Sequence, residues 1–178
     1  MIEHVASAIT TASGIKLDPV SSSASWFADT NWHKEDGNGY GGESMLVTVN
    51  CCEMQGDSVP NHDDWRSLLD AASDAAKERG LASFAIESGI EGCNGLEKCW
   101  RVIAHATDGV QWLSLTIEDR ALDTSGDAGR EADRLGLPIA AVHLTYGATV
   151  VEAGAKDRFA KAMEPFVGLE RPEATTSD

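Results

Sequence analysis

A β-hairpin centred on Asp108 and Gly109 constrains the fold of this chain more than any other sequence feature. Apolar and polar side chains alternate over residues 99–107 and again over 110–118, on either side of the Asp-Gly dipeptide. Alternation of this kind is typical of strands that bury one face. An Asp-Gly dipeptide between two such runs is typical of a two-residue turn in which both residues adopt positive φ.

A two-residue turn fixes the pairing of the two strands. It predicts that Thr107 lies opposite Val110 and that His105 lies opposite Trp112. One face of the hairpin is then apolar and is expected to join the core; its residues are Trp100, Val102, Ala104, Leu113, Leu115 and Ile117. The other face is mixed, so we expect another element to cover part of it; its residues are Arg101, Ile103, His105, Val110, Trp112, Ser114 and Thr116.

An amphipathic helix is predicted over residues 62–79, between strands predicted at 44–54 and 82–90. Its apolar stripe has helical spacing and consists of Trp65, Leu68, Leu69, Ala72, Ala75 and Ala76. A connection of this length favours two strands that run in the same direction, joined by a right-handed crossover.

The remaining pattern indicates an α+β fold. Further helices are predicted at 2–12, 130–135 and 152–166, and a further strand at 138–150. Gly14 is expected to end the first of these helices. Local hairpins mixed with helices favour a largely antiparallel sheet with helices packed on it, and helices on both faces would make an α/β/α sandwich. We expect a single domain over residues 1–167, with an irregular aromatic, Gly-rich loop at 15–43 and a flexible polar tail at 168–178.

The chain has four cysteines, which are Cys51, Cys52, Cys93 and Cys99. If the strands at 44–54 and 82–90 are parallel, their carboxyl ends meet at one edge of the sheet, and all four thiols are expected to converge there. Disulfides that join the adjacent pair to the Cys93–Cys99 loop are favoured over a vicinal Cys51–Cys52 bridge. Neighbouring residues of a strand point to opposite faces, which disfavours zinc chelation. Four reduced, buried thiols remain the structural alternative.

An aromatic cluster in the loop at 15–43 is the candidate binding surface. It consists of Trp26, Phe27, Trp32, His33 and Tyr40. Tryptophan and tyrosine are frequent hot spots of recognition surfaces. The alternative is that these side chains pack over the mixed face of the hairpin, because an exposed cluster of this size would reduce solubility.

The charge of the chain excludes some partners. Its 14 Lys+Arg and 29 Asp+Glu give a net charge of −15. Such a surface repels nucleic acid and anionic lipid, and no apolar run is long enough to insert in a membrane. Zincin, P-loop and nucleophile-elbow motifs do not occur in the sequence, so we predict no catalytic residue, no metal site and no cofactor.

Part of the chain resembles a known group of proteins. The helix segment DDWRSLLDAASDAAKERGL and the hairpin WRVIAHATDGVQWLSLTI follow a strand that ends in cysteine. Over residues 44–118 this order is similar to that of the ectodomains of small actinobacterial envelope lipoproteins, some of which adopt PsbP-like α/β/α folds. No lipobox cysteine is present. The resemblance implies an envelope location and no particular functional residue.

Together these features favour an extracytoplasmic, non-enzymatic binding or interaction domain whose partner is a protein or a small ligand. A disulfide-bearing, cell-envelope-attached protein fits the cysteines and the resemblance. One alternative is a cytoplasmic acidic protein that binds a basic protein, as an immunity protein binds its toxin. A second alternative is an enzyme whose site is assembled from dispersed residues.

Overall fold

The computed structural model describes residues 1–20, 27–29, 46–87, 99–151, 157, 161 and 164–168. Its α-helices are α1 (Ile2–Ser13), α2 (Trp65–Lys77) and α3 (Asp127–Leu135). Its strands are β1 (Asp18–Pro19), β2 (Phe27–Asp29), β3 (Leu46–Gly56), β4 (Ala85–Ile86), β5 (Arg101–Thr107), β6 (Gln111–Asp119) and β7 (Ala140–Val151). Short 3₁₀ turns lie at His62–Asp64, Arg120–Leu122 and Glu164–Phe166.

The described strands form one seven-stranded antiparallel sheet. Their order is β1-β3-β7-β6-β5-β4, and β2 also pairs with β3. Every pairing is antiparallel. Strands β3 and β4 therefore run in the same direction, as predicted from the helix between them, although β7, β6 and β5 lie between them. The predicted α+β class with a largely antiparallel sheet is confirmed.

Helices cover both faces of this sheet. The apolar stripes of α1 and α2 pack with Val102, Leu113 and Leu144 in one core. Helix α1 ends where predicted, because Gly14 adopts a φ of 73° and its N–H bonds the carbonyl of Thr10 at 2.8 Å. Helix α3 lies against the other face of the sheet, which makes the arrangement an α/β/α sandwich.

The pairing of the β5–β6 hairpin differs from the predicted pairing by two residues. Thr107 lies opposite Trp112, and His105 lies opposite Ser114. A displacement by an even number of residues leaves the side chains of β5 and β6 on their predicted faces. The core face is accordingly buried, with Val102, Ala104, Ala106, Leu113, Leu115 and Ile117 at most 2% exposed. The prediction is wrong for Trp100, which precedes β5: it is only partly buried and is not part of the core.

The side chain of Asp108 explains the displacement. Its Oδ1 accepts hydrogen bonds from the backbone N–H groups of Val110 at 2.8 Å and Gln111 at 2.7 Å. The hydroxyl of Thr107 donates to the carbonyl of Gln111 at 2.8 Å. These bonds stabilise a longer turn than the two-residue one, and Gly109 supplies its positive φ of 91°.

Some predicted elements are shorter than expected, and others lie outside the described residues. The loop predicted at 15–43 contains the short strands β1 and β2, which the sequence did not indicate. The strand predicted at 82–90 is reduced to β4, and residues 88–90 are not described. Most of the helix predicted at 152–166 is likewise outside the described part. No helix in that part has the length and apolar character needed to cross a bilayer.

Replacement of Gly147 by alanine is expected to lower the free energy of unfolding by about 1–3 kcal/mol, because overpacking displaces well-fitted neighbours. A Cβ at this position would overlap the indole of Trp112, the residue of β6 that pairs with Gly147. Urea denaturation measures the effect. The matched control is Gly129→Ala in α3, where a Cβ would meet Ile139 at an ordinary 3.7 Å. This control is expected to raise stability by up to about 1 kcal/mol. Equal stability of Gly147→Ala and the wild type would contradict the proposed packing.

Candidate binding cleft

A cleft lies between α3 and the face of the sheet that points away from the main core. Its volume is about 490 Å³. We call it the α3 cleft; its lining residues are Glu53, Gln55, Trp100, Arg101, Thr116, Glu118, Arg120, Ala128, Glu131, Ala132, Leu137, Pro138, His143 and Thr145. The mixed face of the hairpin was predicted to be covered by another element. At this end of the sheet, helix α3 covers it.

The floor of the α3 cleft is assembled from four neighbouring strands. Arg101 of β5 pairs with Glu118 of β6, and Thr116 of β6 pairs with His143 of β7. Glu53 of β3 pairs with Thr145 of β7. Because alternate residues of a strand share a face, these side chains all project towards α3.

The opposite wall is mostly apolar and is supplied mainly by α3 and the segment after it; Glu131 of α3, which pairs with Arg134, is its charged residue. Asp123 positions the start of α3, because its Oδ2 accepts a hydrogen bond from the N–H of Ala128 at 2.8 Å. Gly136 ends the helix with a φ of 66°. Ala132 is buried on this wall, and Leu137 and Pro138 complete it.

A buried carboxylate lies at the centre of the floor. The side chain of Glu118 is 7% exposed and faces three cationic groups. Arg120 donates to it and to the carbonyl of Pro138. The Nε of Arg101 is 3.7 Å from Oε2 of Glu118, and the Nε2 of His143 is 3.6 Å from Oε1. Burial alone would raise the pKa of Glu118, but His143, Arg120 and Arg101 together outweigh it, so the pKa of Glu118 is lowered.

His143 is held between two carboxylates. Its Nδ1 is 3.5 Å from Glu53, and its Nε2 faces Glu118. The pKa of His143 is raised, chiefly by Glu118 and further by Glu53, against the opposing effect of burial. Both ring nitrogens therefore face carboxylates, which links β7 to β3 and β6 across the cleft floor.

The geometry of the α3 cleft suits binding. Thr116 and Thr145 add hydroxyl groups to the charged floor, and the facing wall is mostly apolar. Among the described residues, no group of three His, Cys, Asp or Glu side chains could hold a metal ion. A ligand with an apolar body and one polar end would match both walls.

In the folded protein we expect the imidazole of His143 to titrate above 6.5, since the facing carboxylates stabilise its charged form. NMR observation of the ring protons as a function of pH measures this value. Glu118→Gln is expected to lower the midpoint more than Glu53→Gln, because Glu118 is the more deeply buried partner. A midpoint at or below 6.5 in the wild type would show that this ion-pair geometry is not formed in solution.

The predicted convergence of the cysteines is wrong for the three that the structure describes. Cys52 of β3 pairs with Tyr146 of β7, which pairs with Leu113 of β6, and Leu113 pairs with Ala106 of β5. Cys52 and Ala106 therefore lie at the same level of the sheet. Ala106 is seven residues after Cys99 and three strands away from Cys52, so the two cysteines are roughly 25 Å apart. A disulfide requires Cα atoms within about 7 Å. Bonding between the adjacent pair and Cys99 is therefore excluded.

The structure instead brings Cys51 and Cys52 together. Their sulfur atoms are in contact, in the vicinal arrangement that the sequence made the less favoured one. Cys99 is itself bonded. Cys93 lies outside the described residues, so its predicted pairing stays a prediction.

Most of the predicted aromatic binding surface falls on residues that the structure does not describe, namely Trp26, Trp32, His33 and Tyr40. Phe27 belongs to β2, where its backbone pairs with Asn50. The residues of the α3 cleft were not predicted as a site. The one available signal was the mixed face of the hairpin, which placed Arg101 and Thr116 together and required a covering element.

Comparisons with known proteins do not classify the chain: no family model matches it, and no curated protein or solved structure shows significant similarity to it.

Proposed function

We propose that this protein is a non-enzymatic binding domain that holds a small organic ligand in the α3 cleft. The observation that carries the proposal is the contrast between the two sides of the cleft. One side is a charged and hydroxyl-bearing floor, and the other is a mostly apolar wall that includes Ala132 and Leu137, with Glu131 as its charged residue. Clefts with mostly apolar walls and a few convergent polar groups are typical of small-molecule sites.

The state of the charged groups supports binding over catalysis. A general base needs a ring nitrogen that can accept a proton from a substrate. Both nitrogens of His143 face carboxylates, which favours its protonated form. Glu118, whose pKa is lowered, is similarly engaged by Arg120 and Arg101. These groups stabilise each other and preorganise the floor for a polar ligand end.

Three small aromatic probes of similar size test the proposal: benzoate has an anionic polar end, benzamide a neutral one and benzylamine a cationic one. We expect at least one to bind with a millimolar Kd and to shift the backbone NMR signals of Thr116 and Thr145. Ala128→Phe places a ring in the cleft and is expected to weaken that binding at least about tenfold, which corresponds to about 1.4 kcal/mol.

Ala121→Phe is the matched control, since Ala121 is exposed and does not line the cleft. It is expected to leave the affinity unchanged. The proposal is wrong if none of the three probes shifts cleft signals. It is also wrong if Ala128→Phe and Ala121→Phe bind the probe equally well.

We propose in addition that the domain works outside the cytoplasm. The sulfur contact between Cys51 and Cys52 and the bonded state of Cys99 support an oxidising location. Alkylation of the native host cells at lysis, followed by mass spectrometry, is expected to find no cysteine modified unless the protein is first reduced. Four alkylated cysteines in the unreduced sample would instead indicate a reducing compartment.

A further inference from the structure

Cys51 and Cys52 lie at an irregular point of β3. Asn50 pairs with Gly147 and Cys52 with Tyr146, so Cys51 is an extra residue with no partner of its own on β7. This irregularity is a β-bulge, which bends a strand and redirects a side chain. On a regular strand, neighbouring side chains point to opposite faces. The bulge therefore explains how two consecutive cysteines bring their sulfur atoms into contact.

The pair is partly accessible to small reagents, although Cys52 also packs against the core. Both residues are only partly buried. On the side of β3 away from β7, β2 pairs with Thr48 to Asn50, and β1 pairs with Met54 and Gln55. The two cysteines fall between these pairings, at a point where neither β1 nor β2 continues the ladder.

A cross-link between consecutive residues contributes little to the stability of a fold. Disulfides stabilise a fold mainly by closing a loop in the unfolded chain, and the effect grows with loop length. Cys51 and Cys52 close the shortest loop a chain can have, with Cα atoms 3.7 Å apart. A stabilising role therefore does not account for the pair, whereas a chemical role for two juxtaposed sulfurs does.

We propose that Cys51 and Cys52, when reduced, form a dithiol site that chelates thiophilic ions of the trivalent-arsenic class. Two thiols on one side of a bulge can both ligate one soft ion. With an organic arsenic oxide, both S–H bonds break and two As–S bonds form, while the oxide oxygen leaves with both protons as water. Arsenic remains trivalent, so this step needs no oxidant or reductant. The site is separate from the α3 cleft and does not depend on the ligand proposed there.

Phenylarsine oxide tests the site in the folded protein. The chain is first reduced with a phosphine, which takes an oxygen from water to become phosphine oxide while the disulfide gains two electrons and two protons. We expect the folded, reduced chain to take up an arsenical at this site. Tryptic mapping separates the candidate sites, because Cys51 and Cys52 fall in the peptide 35–66 and the other two cysteines in the peptides 80–98 and 99–101.

The expected result is arsenical on peptide 35–66, lost in both Cys51→Ser and Cys52→Ser. Mapping on the wild-type chain keeps the test decisive even if one serine variant folds poorly. The proposal is overturned if the folded chain leaves peptide 35–66 unmodified, or if that peptide takes up arsenical only after denaturant is added. Retention of the arsenical there in either serine variant would also overturn it.

Discussion

Glu118→Gln is expected to lower the free energy of unfolding by about 3 kcal/mol, since removing one partner of a buried ionic group leaves its counter-charges without compensation. Glu118 is almost fully buried and faces Arg120, Arg101 and His143. The amide is nearly the same size but carries no charge, so the loss reports electrostatics more than packing. Urea denaturation of both proteins at the same pH measures the difference.

The control for this substitution is Glu53→Gln, the same chemical change at the rim of the cleft. The side chain of Glu53 is 45% exposed and contacts only the His143 end of the cluster. Solvent screens such a pair, so we expect a loss below about 1 kcal/mol. Similar losses in the two variants would show that burial of Glu118 does not strengthen its ionic contacts.

The pH dependence of stability should change in the same variant. The pKa of Glu118 is lowered from 4.5 in the folded state, so its contribution is present above 4.5 and is lost as pH falls through the folded pKa. The pKa of His143 is raised from 6.5, so its contribution is complete below 6.5 and is lost as pH rises through the folded pKa. In the wild type these two groups favour greatest stability between these limits. Glu118→Gln is expected to flatten both slopes, and an unchanged pH profile would contradict the coupling.

The sequence predicted those features that depend on local patterns. The apolar stripe of α2 and the residue that ends α1 follow from helical spacing and from the glycine preference of helix ends. The two faces of β5 and β6 follow from the alternation of apolar and polar residues. They were predicted correctly although the turn was not, because the observed register differs from the predicted one by two residues. Asp108 caused that error, since its side-chain bonds stabilise a longer turn that the Asp-Gly pattern does not reveal.

The candidate site could not be predicted in the same way. Glu53, Arg101, Glu118 and His143 come from four strands, and they meet only because β7 lies between β3 and β6. Strand order is set by non-local packing, which no local pattern in the sequence records. The error with the cysteines has a similar origin: the position of Cys51 and Cys52 within the long strand β3, and the bulge there, decide which sulfur atoms meet.

Trp65→Ala is expected to lower the free energy of unfolding by about 3–5 kcal/mol, the usual cost of removing a fully buried aromatic side chain. Trp65 is fully buried at the start of α2, and its Nε1 donates to the carbonyl of Pro60 at 3.2 Å. The ring of His62 lies 4.6 Å from that of Trp65, and its Nε2 is 3.1 Å from the carbonyl of Cys99. Trp65 thereby helps to connect α2 to the start of β5. Small domains are stable by only about 5–15 kcal/mol, so this variant is expected to be close to unfolding.

Trp65→Phe gives a measurable intermediate in case the alanine variant does not fold. It keeps an aromatic ring but loses the donor to Pro60, and we expect a loss of about 2 kcal/mol. Arg66→Ala is the neighbouring control: Arg66 is exposed on the same helix, and we expect a change within about 0.5 kcal/mol. Urea denaturation followed by circular dichroism compares the variants. If Trp65→Phe is as stable as Arg66→Ala, the hydrogen bond to Pro60 and the fit of the indole do not stabilise the start of α2.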